Sequence, residues 1–184
     1  MHAFFIAAFY VFIAEMGDKT QLVALAFAAR YRAALVLSAV FTATLLIHLF
    51  SVGLGRLLSD TLPHGWIRLL AGLAFIGFGI WTLRGDELGE EKKREHAWGP
   101  FFTVAVTFFL AELGDKTMLA TVAIASQERS FIGVWLGSTV GMVTADGLAV
   151  VVGHGLGKRL PEKMIQRVAA ALFFISGLWL MFNR

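Results

Sequence analysis

The sequence contains no cysteine, only three prolines and little charge. The lack of cysteine excludes a disulfide framework, a thiolate metal site and a cysteine nucleophile. Charged residues make up 16% of the chain, against about a quarter in a typical soluble domain. Hydrophobic residues make up 58%, and the mean hydropathy is +0.73. This composition excludes a disordered chain and argues against a soluble globular protein.

Six apolar runs divide the chain, and none has a proline in its interior. They cover approximately residues 4–29, 33–58, 66–83, 100–126, 131–155 and 168–182. Each run is near the roughly 20 residues that a helix needs to cross about 30 Å of hydrocarbon. We therefore predict an all-α polytopic membrane protein with six transmembrane helices. Residues 1–84 and 99–184 form two three-helix halves, joined by a charged cytoplasmic linker at 85–98.

The basic residues predict an orientation in the membrane rather than a nucleic-acid partner. The net charge is +3, but the lysines and arginines lie in short clusters between the apolar runs. Ten of the sixteen fall in connections one, three and five, and four fall on the other side. The positive-inside rule assigns the richer side to the cytoplasm. Both termini are then periplasmic if the protein lies in a bacterial inner membrane.

A six-residue motif occurs twice. Glu15-Met-Gly-Asp-Lys-Thr20 recurs 97 residues later as Glu112-Leu-Gly-Asp-Lys-Thr117, with five of six positions identical. Each half carries three spans, an odd number, so the second half enters the membrane from the opposite face. This pattern is an inverted repeat, and many secondary transporters are built from such repeats, with the site near the midplane.

The motif supplies carboxylates near the bilayer centre. On a continuous helix, Glu15 and Asp18 would share one face, as would Glu112 and Asp115. Each acidic side chain at mid-span costs about 2.5–3.5 kcal/mol on insertion scales, so four of them indicate a function. We expect all four to converge on one metal site. Carboxylate oxygens suit hard cations such as Mg²⁺, Ca²⁺ and Mn²⁺.

The other motif residues are expected to support this site. The two lysines reduce the four negative charges to −2, which one divalent cation or two protons would neutralise. The threonines offer hydroxyl oxygens, and the glycines allow close backbone approach or a local opening of the helix that exposes carbonyls. These residues are Lys19, Lys116, Thr20, Thr117, Gly17 and Gly114. Metal and protons would compete for the carboxylates, which is the simplest basis for their exchange.

An alternative interpretation gives the motif a purely structural role. Glu15–Lys19 and Glu112–Lys116 have the i,i+4 spacing of ion pairs that stabilise helices. This interpretation leaves Asp18 and Asp115 unexplained.

Two Glu-x-Gly-Asp-Lys-Thr motifs, in the first and fourth of six spans, resemble those of the bacterial MneA-type manganese exporters. These exporters belong to the wider Gdt-type cation/proton exchanger family. The resemblance covers nearly the whole chain. It implies export of Mn²⁺ across the inner membrane in exchange for protons, with Ca²⁺ a substrate in some members. Carried over, it implies that Glu15, Asp18, Glu112 and Asp115 bind the cation, with Thr20 and Thr117 beside them.

Three further polar residues lie inside the apolar runs. Asp146 and His48 occupy near-equivalent positions, 98 residues apart. Asp146 is interpreted as a proton carrier or a partner of the site, or as a structural residue held by a hydroxyl such as that of Thr144 or by a lysine of the motif. His48 is interpreted as a site residue or a packing residue. Gln21 follows the first motif, whereas Met118 follows the second, so Gln21 is a candidate for breaking the symmetry of the site.

A stripe of small residues marks a close helix contact. Gly133, Gly137 and Gly141 are spaced by four, as at tightly packed membrane helices. The stripe predicts packing within the bundle or in a homodimer.

The sequence leaves several functions to compare. We predict a secondary transporter with a divalent cation, protons and the lipid bilayer as its partners, and with no prosthetic group. The alternatives are a Ca²⁺/H⁺ antiporter, an exporter of small organic cations and a non-transporting membrane scaffold. An enzyme is not expected, because the chain lacks Gly-x-Ser-x-Gly and His-Glu-x-x-His.

Overall fold

The computed structural model describes residues 1–84, 99–156 and 162–182. Within these ranges it describes the backbone alone for residues 19, 64, 68, 84, 152–156, 162–166 and 169. The expected linker at 85–98 and the side chain of Lys19 therefore lie outside the described residues.

All regular structure in the described ranges is helical, which confirms the predicted all-α class. Eight helices follow one another: α1 (His2–Glu15), α2 (Lys19–Ala28), α3 (Ala33–Thr61), α4 (His64–Arg84), α5 (Pro100–Glu112), α6 (Lys116–Ala125), α7 (Phe131–Leu156) and α8 (Glu162–Phe182).

The first apolar run is broken at the motif. α1 ends at Glu15, Met16 is extended, and Gly17 has a φ of +78°. Asp18 is again extended and is the N-cap of α2. Glycine adopts positive φ without the steric penalty of a Cβ atom, so this residue type permits the break. The expectation that Glu15 and Asp18 share one face of a continuous helix is therefore wrong.

The fourth apolar run is broken in the same way. Glu112 ends α5, Leu113 is extended, and Gly114 has a φ of +85°. Asp115 is extended and caps α6. The shared-face expectation is wrong for Glu112 and Asp115 as well. The expectation that the glycines let the helix open locally is confirmed in both halves.

Three described helical segments are long and apolar enough, by length and composition, to cross a membrane. They are Ala33–Thr61, Gly65–Leu83 and Phe131–Val151. The broken runs give shorter apolar helices of 10 to 14 residues. Large apolar side chains face outward, among them Leu46, Ile132 and Ile175, each more than half exposed. Such a surface fits a lipid environment rather than water.

The two halves pack in matching ways. α1 and α2 of the first half pack on α7, and α5 and α6 of the second half pack on α3. α4 and α8 pack against each other, and Gly72 and Gly177 meet at their crossing. Exchanging the two halves therefore reproduces the main helix contacts.

The small-residue stripe packs within the chain. A Cβ atom on Gly137 would collide with the carbonyl of Phe4, and one on Gly141 would collide with the carbonyl of Ala8. These glycines let α7 approach the backbone of α1 closely. This confirms packing within the bundle, so the stripe gives no support to the homodimer.

Several helix ends lie together on one side of the bundle. His2 at the start of α1 contacts Glu128 after α6, at 3.5 Å. Gly55, in the last third of α3, lies against the end of α6 at Val122 and Ala125. The start of α1 and the ends of α3 and α6 therefore share one side.

Candidate cation-binding site

Three of the four expected ligands meet between the two helix breaks. Glu15, Asp18 and Glu112 each offer a carboxylate oxygen, and these oxygens lie within 4.8 Å of one another. All three residues are at most 1% exposed. The glutamates end α1 and α5, and Asp18 begins α2. Each break thus directs a motif carboxylate into the group, with both halves contributing.

The motif threonines orient these carboxylates. Thr20 donates a hydrogen bond to Glu15 Oε1 and lies 3.4 Å from Asp18 Oδ2. Thr117 donates to Glu112 Oε2 at 2.5 Å. Each hydroxyl donates a hydrogen bond to a carboxylate, and the other oxygen of each glutamate has no hydrogen-bond partner among the described residues.

A buried ion pair crosses from one half to the other. Lys116 Nζ lies 2.9 Å from Asp18 Oδ1, and both side chains are almost fully buried. This pair joins the N-terminal ends of α2 and α6. It differs from the i,i+4 pairing of Glu112 with Lys116 that the structural interpretation assumed.

Asp115 is outside the group of three but interacts electrostatically with Glu112. It is 4% exposed, yet neither of its carboxylate oxygens has a hydrogen-bond partner in the described part of the chain. The structure thus brings together three motif carboxylates and leaves the fourth outside the 4.8 Å group.

Asp146 adds a further buried carboxylate on α7. It is fully buried and interacts electrostatically with both Glu15 and Glu112. Its two oxygens have no hydrogen-bond partner among the described residues. Thr144 donates instead to the carbonyl of Val140 at 2.6 Å, so the expectation that a hydroxyl such as Thr144 holds Asp146 is wrong.

His48 makes a contact between α3 and α7. Its Nδ1 lies 3.4 Å from Thr139 Oγ1, and Thr139 in turn donates to the carbonyl of Trp135 at 2.9 Å. The ring is fully buried, and the group of three carboxylates does not include it.

Gln21 and Met118 cap the two breaks differently. Gln21 Oε1 accepts a 2.9 Å hydrogen bond from the Gly17 N–H, whereas Met118 Sδ accepts a 3.1 Å hydrogen bond from the Gly114 N–H. Sequence reasoning marked Gln21 as asymmetric but missed this role. The sequence feature that indicates this role is the position of Gln21, four residues after the glycine of the break.

The site concentrates negative charge where water is excluded. Buried carboxylates need counter-charge, and a hard cation or protons can supply it. Among the described residues, the oxygens without a hydrogen-bond partner include Glu15 Oε2, Glu112 Oε1 and both oxygens of Asp146. The arrangement is therefore suited to hold either a cation or protons.

Comparison with known proteins agrees with this chemistry. A protein of Vibrio cholerae described as "Putative manganese exporter" is 36% identical over 91% of this chain and 84% of its own length. A GDT1-like protein 2, chloroplastic, of Oryza sativa is 33% identical over 93% of this chain, which spans 58% of that relative. A GDT1-like protein 5 of Arabidopsis thaliana is 26% identical over 91% of this chain and 90% of its own length.

No solved structure matches the chain. The profile of the family described as "Divalent cation/proton antiporter GDT1" matches residues 3–90 and 100–184, which is nearly the whole sequence. That family is one of membrane transporters and not of enzymes. On these grounds, the chain is a member of the GDT1 family of divalent cation/proton antiporters.

Proposed function

We propose that this protein exports Mn²⁺ from the bacterial cytoplasm in exchange for protons. The observation that carries the proposal is the buried group of Glu15, Asp18 and Glu112 at the two helix breaks. Hard divalent cations prefer oxygen ligands of this kind. Ion sites of secondary transporters lie at such discontinuous helices, near the middle of the membrane.

The choice of manganese rests on similarity. The Vibrio cholerae relative carries a manganese exporter's name and is similar over most of both chains. Oxygen ligands also accept Ca²⁺ and Mg²⁺, so Ca²⁺ is the competing substrate. The transported ion, not a prosthetic group, would occupy the site.

Exchange for protons follows from competition at the carboxylates. The four motif acids and two motif lysines sum to −2. One divalent cation or two protons neutralise that charge, so an electroneutral exchange of one cation for two protons is the stoichiometry that we infer. A transport rate that depends on membrane voltage at fixed pH would contradict it.

The proposed architecture is six spans in two inverted repeats, in the bacterial inner membrane. Each broken pair, α1 with α2 and α5 with α6, would form one span. The start of α1 lies on the same side as the ends of α3 and α6, which agrees with periplasmic termini. Transport would alternate the site between the two faces as one repeat moves against the other.

Flux into proteoliposomes tests the proposal. Purified protein would be reconstituted with an imposed pH gradient, and Mn²⁺ uptake compared for wild type, Glu15→Gln and Asp115→Asn. The matched control is Asp60→Asn, which changes an exposed aspartate in α3. We expect gradient-driven uptake in the wild type and control, and uptake reduced to that of empty vesicles in Glu15→Gln and in Asp115→Asn.

Two other outcomes would redirect the assignment. Uptake of Ca²⁺ but not Mn²⁺ would identify a Ca²⁺/H⁺ antiporter. No uptake of either ion, with Glu15→Gln as stable as the wild type or more stable, would favour the membrane scaffold.

A further inference from the structure

Gln21 joins the first helix break to the opposite half of the chain. Its side chain is 6% exposed. Its Oε1 accepts a hydrogen bond from the Gly17 N–H at 2.9 Å, and its Nε2 donates to the Ala145 carbonyl of α7 at 3.0 Å. One carboxamide therefore both satisfies the backbone at the break and connects it to α7.

The second break has no equivalent connection through Met118. The Met118 thioether accepts from the Gly114 N–H at 3.1 Å, as Gln21 Oε1 does from Gly17. A thioether has no hydrogen to donate, so it cannot reproduce the second bond of Gln21. The two breaks have nearly the same backbone conformation, but their capping side chains differ in hydrogen bonding to the rest of the chain.

α7 and α3 also differ at the backbone carbonyl that would accept this side-chain hydrogen bond. Ile47 in α3 lies 98 residues before Ala145, and its carbonyl already accepts a 2.7 Å hydrogen bond from Ser51. The residue equivalent to Ser51 in α7 is Ala149, which has no hydroxyl. The α7 carbonyl is therefore available to Gln21, whereas the α3 carbonyl is satisfied within its own helix.

We propose that Gln21 is a positioning residue that fixes the first helix break in place more firmly than the second. It holds Glu15 and Asp18 in fixed register with α7, next to Asp146, which directly follows the bonded Ala145. The break at Gly114 lacks this bond to a long helix of the opposite half and is joined to the first half by the Lys116–Asp18 pair instead. This inference rests on the proposed transport function for its consequence, but the bond itself can be tested separately.

Gln21→Met is the sharpest variant, because it copies the second repeat. Methionine has nearly the volume of glutamine and can still accept from the Gly17 N–H, so the variant removes the bond to Ala145 together with the weak 3.8 Å contact of Nε2 with Met16 Sδ. Hydrogen–deuterium exchange in detergent would report on the amides at 16–18 and 113–115. We expect exchange at the first break to rise about fivefold, as for the loss of one buried hydrogen bond, and exchange at the second break to stay unchanged.

The same variant has a kinetic signature. Looser placement of Glu15 and Asp18 should raise the apparent KM for Mn²⁺ by about fivefold, while kcat stays within about twofold of the wild type. A merely structural role would lower the amount of folded protein and leave both constants unchanged.

A transfer variant provides the reciprocal test. Met118→Gln together with Ser51→Ala supplies a carboxamide at the second break and vacates the Ile47 carbonyl. We expect this double variant to slow amide exchange at 113–115, whereas Met118→Gln alone and Ser51→Ala alone should not. Ser51→Ala alone should also transport Mn²⁺ as the wild type does.

The outcomes separate the two proposals. Unchanged exchange at the first break in Gln21→Met would overturn the positioning role of Gln21, whether or not the protein transports. Faster exchange with an unaltered KM would overturn the link to the site. If the wild type carries no flux, the proposed function fails, and the exchange measurement still decides whether the bond fixes the first break.

Discussion

At the scale of single residues, the site is less symmetric than the repeated motif. Thr20 and Thr117 play the same part in the two halves, since each donates to its own glutamate. Asp18 and Asp115 do not, because Asp18 joins the group of three carboxylates and bonds Lys116 at 2.9 Å. Five identical positions out of six therefore give two different local environments.

Replacing Lys116 tests the ion pair that crosses the repeats. Lys116→Met removes the positive charge 2.9 Å from Asp18, and breaking a buried pair in this way costs about 3–5 kcal/mol. We expect a lower unfolding temperature without metal, and a larger rise on adding Mn²⁺ than in the wild type, because the site is more negative. Thermal unfolding in detergent measures both. Lys116→Arg keeps the charge and is the control, and equal shifts in all three proteins would contradict the role.

Replacing Asp146 tests whether this carboxylate belongs to the site. Asp146→Asn keeps the shape but removes a charge that interacts with Glu15 and Glu112. We expect Mn²⁺ affinity to fall at least about tenfold, which corresponds to about 1.4 kcal/mol, because a nearby negative charge stabilises a bound cation. The metal-free protein should be as stable or more stable, since an unpartnered buried charge is gone. Titration calorimetry gives the affinity, Asp60→Asn is the control, and wild-type affinity in Asp146→Asn would exclude it from the site.

At the scale of the helix, the break is the feature that creates the site. It places Glu15 and Glu112 at helix ends and Asp18 at a helix start, where the chain turns through a glycine of positive φ. On a continuous helix, these carboxylates would project from the side of the helix. They could not then be directed at one common point by the helix ends of the two halves. The opened backbone also leaves N–H groups, which Gln21 and Met118 cap.

Replacing the glycine of the second break tests its backbone conformation. A Cβ atom on Gly114 would meet no atom within 4 Å, but its φ is +85°. Gly114→Ala should therefore destabilise the protein through backbone strain alone, by about 1–3 kcal/mol. Gly114→Asn should recover part of this loss, since asparagine tolerates positive φ better. Gly53→Ala in α3 also meets no atom and should be neutral or slightly stabilising. Equal thermal stability of Gly114→Ala and Gly53→Ala would contradict the strain.

The sequence predicted the helical class and the convergence of motif carboxylates better than the way that these residues meet. Apolar runs indicated the all-α class, and the duplicated motif indicated Glu15, Asp18 and Glu112, which the structure brings together. Hydropathy does not show the break, because residues 4–29 are apolar on both sides of it. The motif glycines indicated a local opening as one of two possibilities, since glycine also allows close backbone approach within an intact helix. The bond from Lys116 to Asp18 depends on how the halves pack, which no spacing within one motif records.

At the scale of the whole molecule, the exchange symmetry of the helix contacts is the main constraint on mechanism. α1 and α2 pack on α7 as α5 and α6 pack on α3, so each broken pair lies against the other half. Each broken pair is therefore held mainly by the opposite half of the chain. Many secondary transporters alternate access to a shared site by movement of one repeat or bundle against the other.

The proposed inverted repeat makes a direct prediction about sidedness. The chain has no cysteine, so each introduced cysteine is the only reactive thiol. Asp60→Cys and Ser130→Cys, exposed at the end of α3 and before α7, should react with a membrane-impermeant maleimide added to intact spheroplasts. Arg32→Cys, exposed before α3, should react only after the membrane is opened, because 29 residues of α3 separate it from Thr61 and span about 44 Å at 1.5 Å per residue.

Labelling of Arg32→Cys and Asp60→Cys from the same side would exclude α3 as a span, and with it the six-span inverted repeat. Opposite labelling of those two, with Ser130→Cys on the side of Asp60→Cys, would leave an odd number of crossings between residues 32 and 130. These residues follow the two motif-bearing segments, so the segments would then cross the membrane in opposite directions, which is the condition for an inverted repeat.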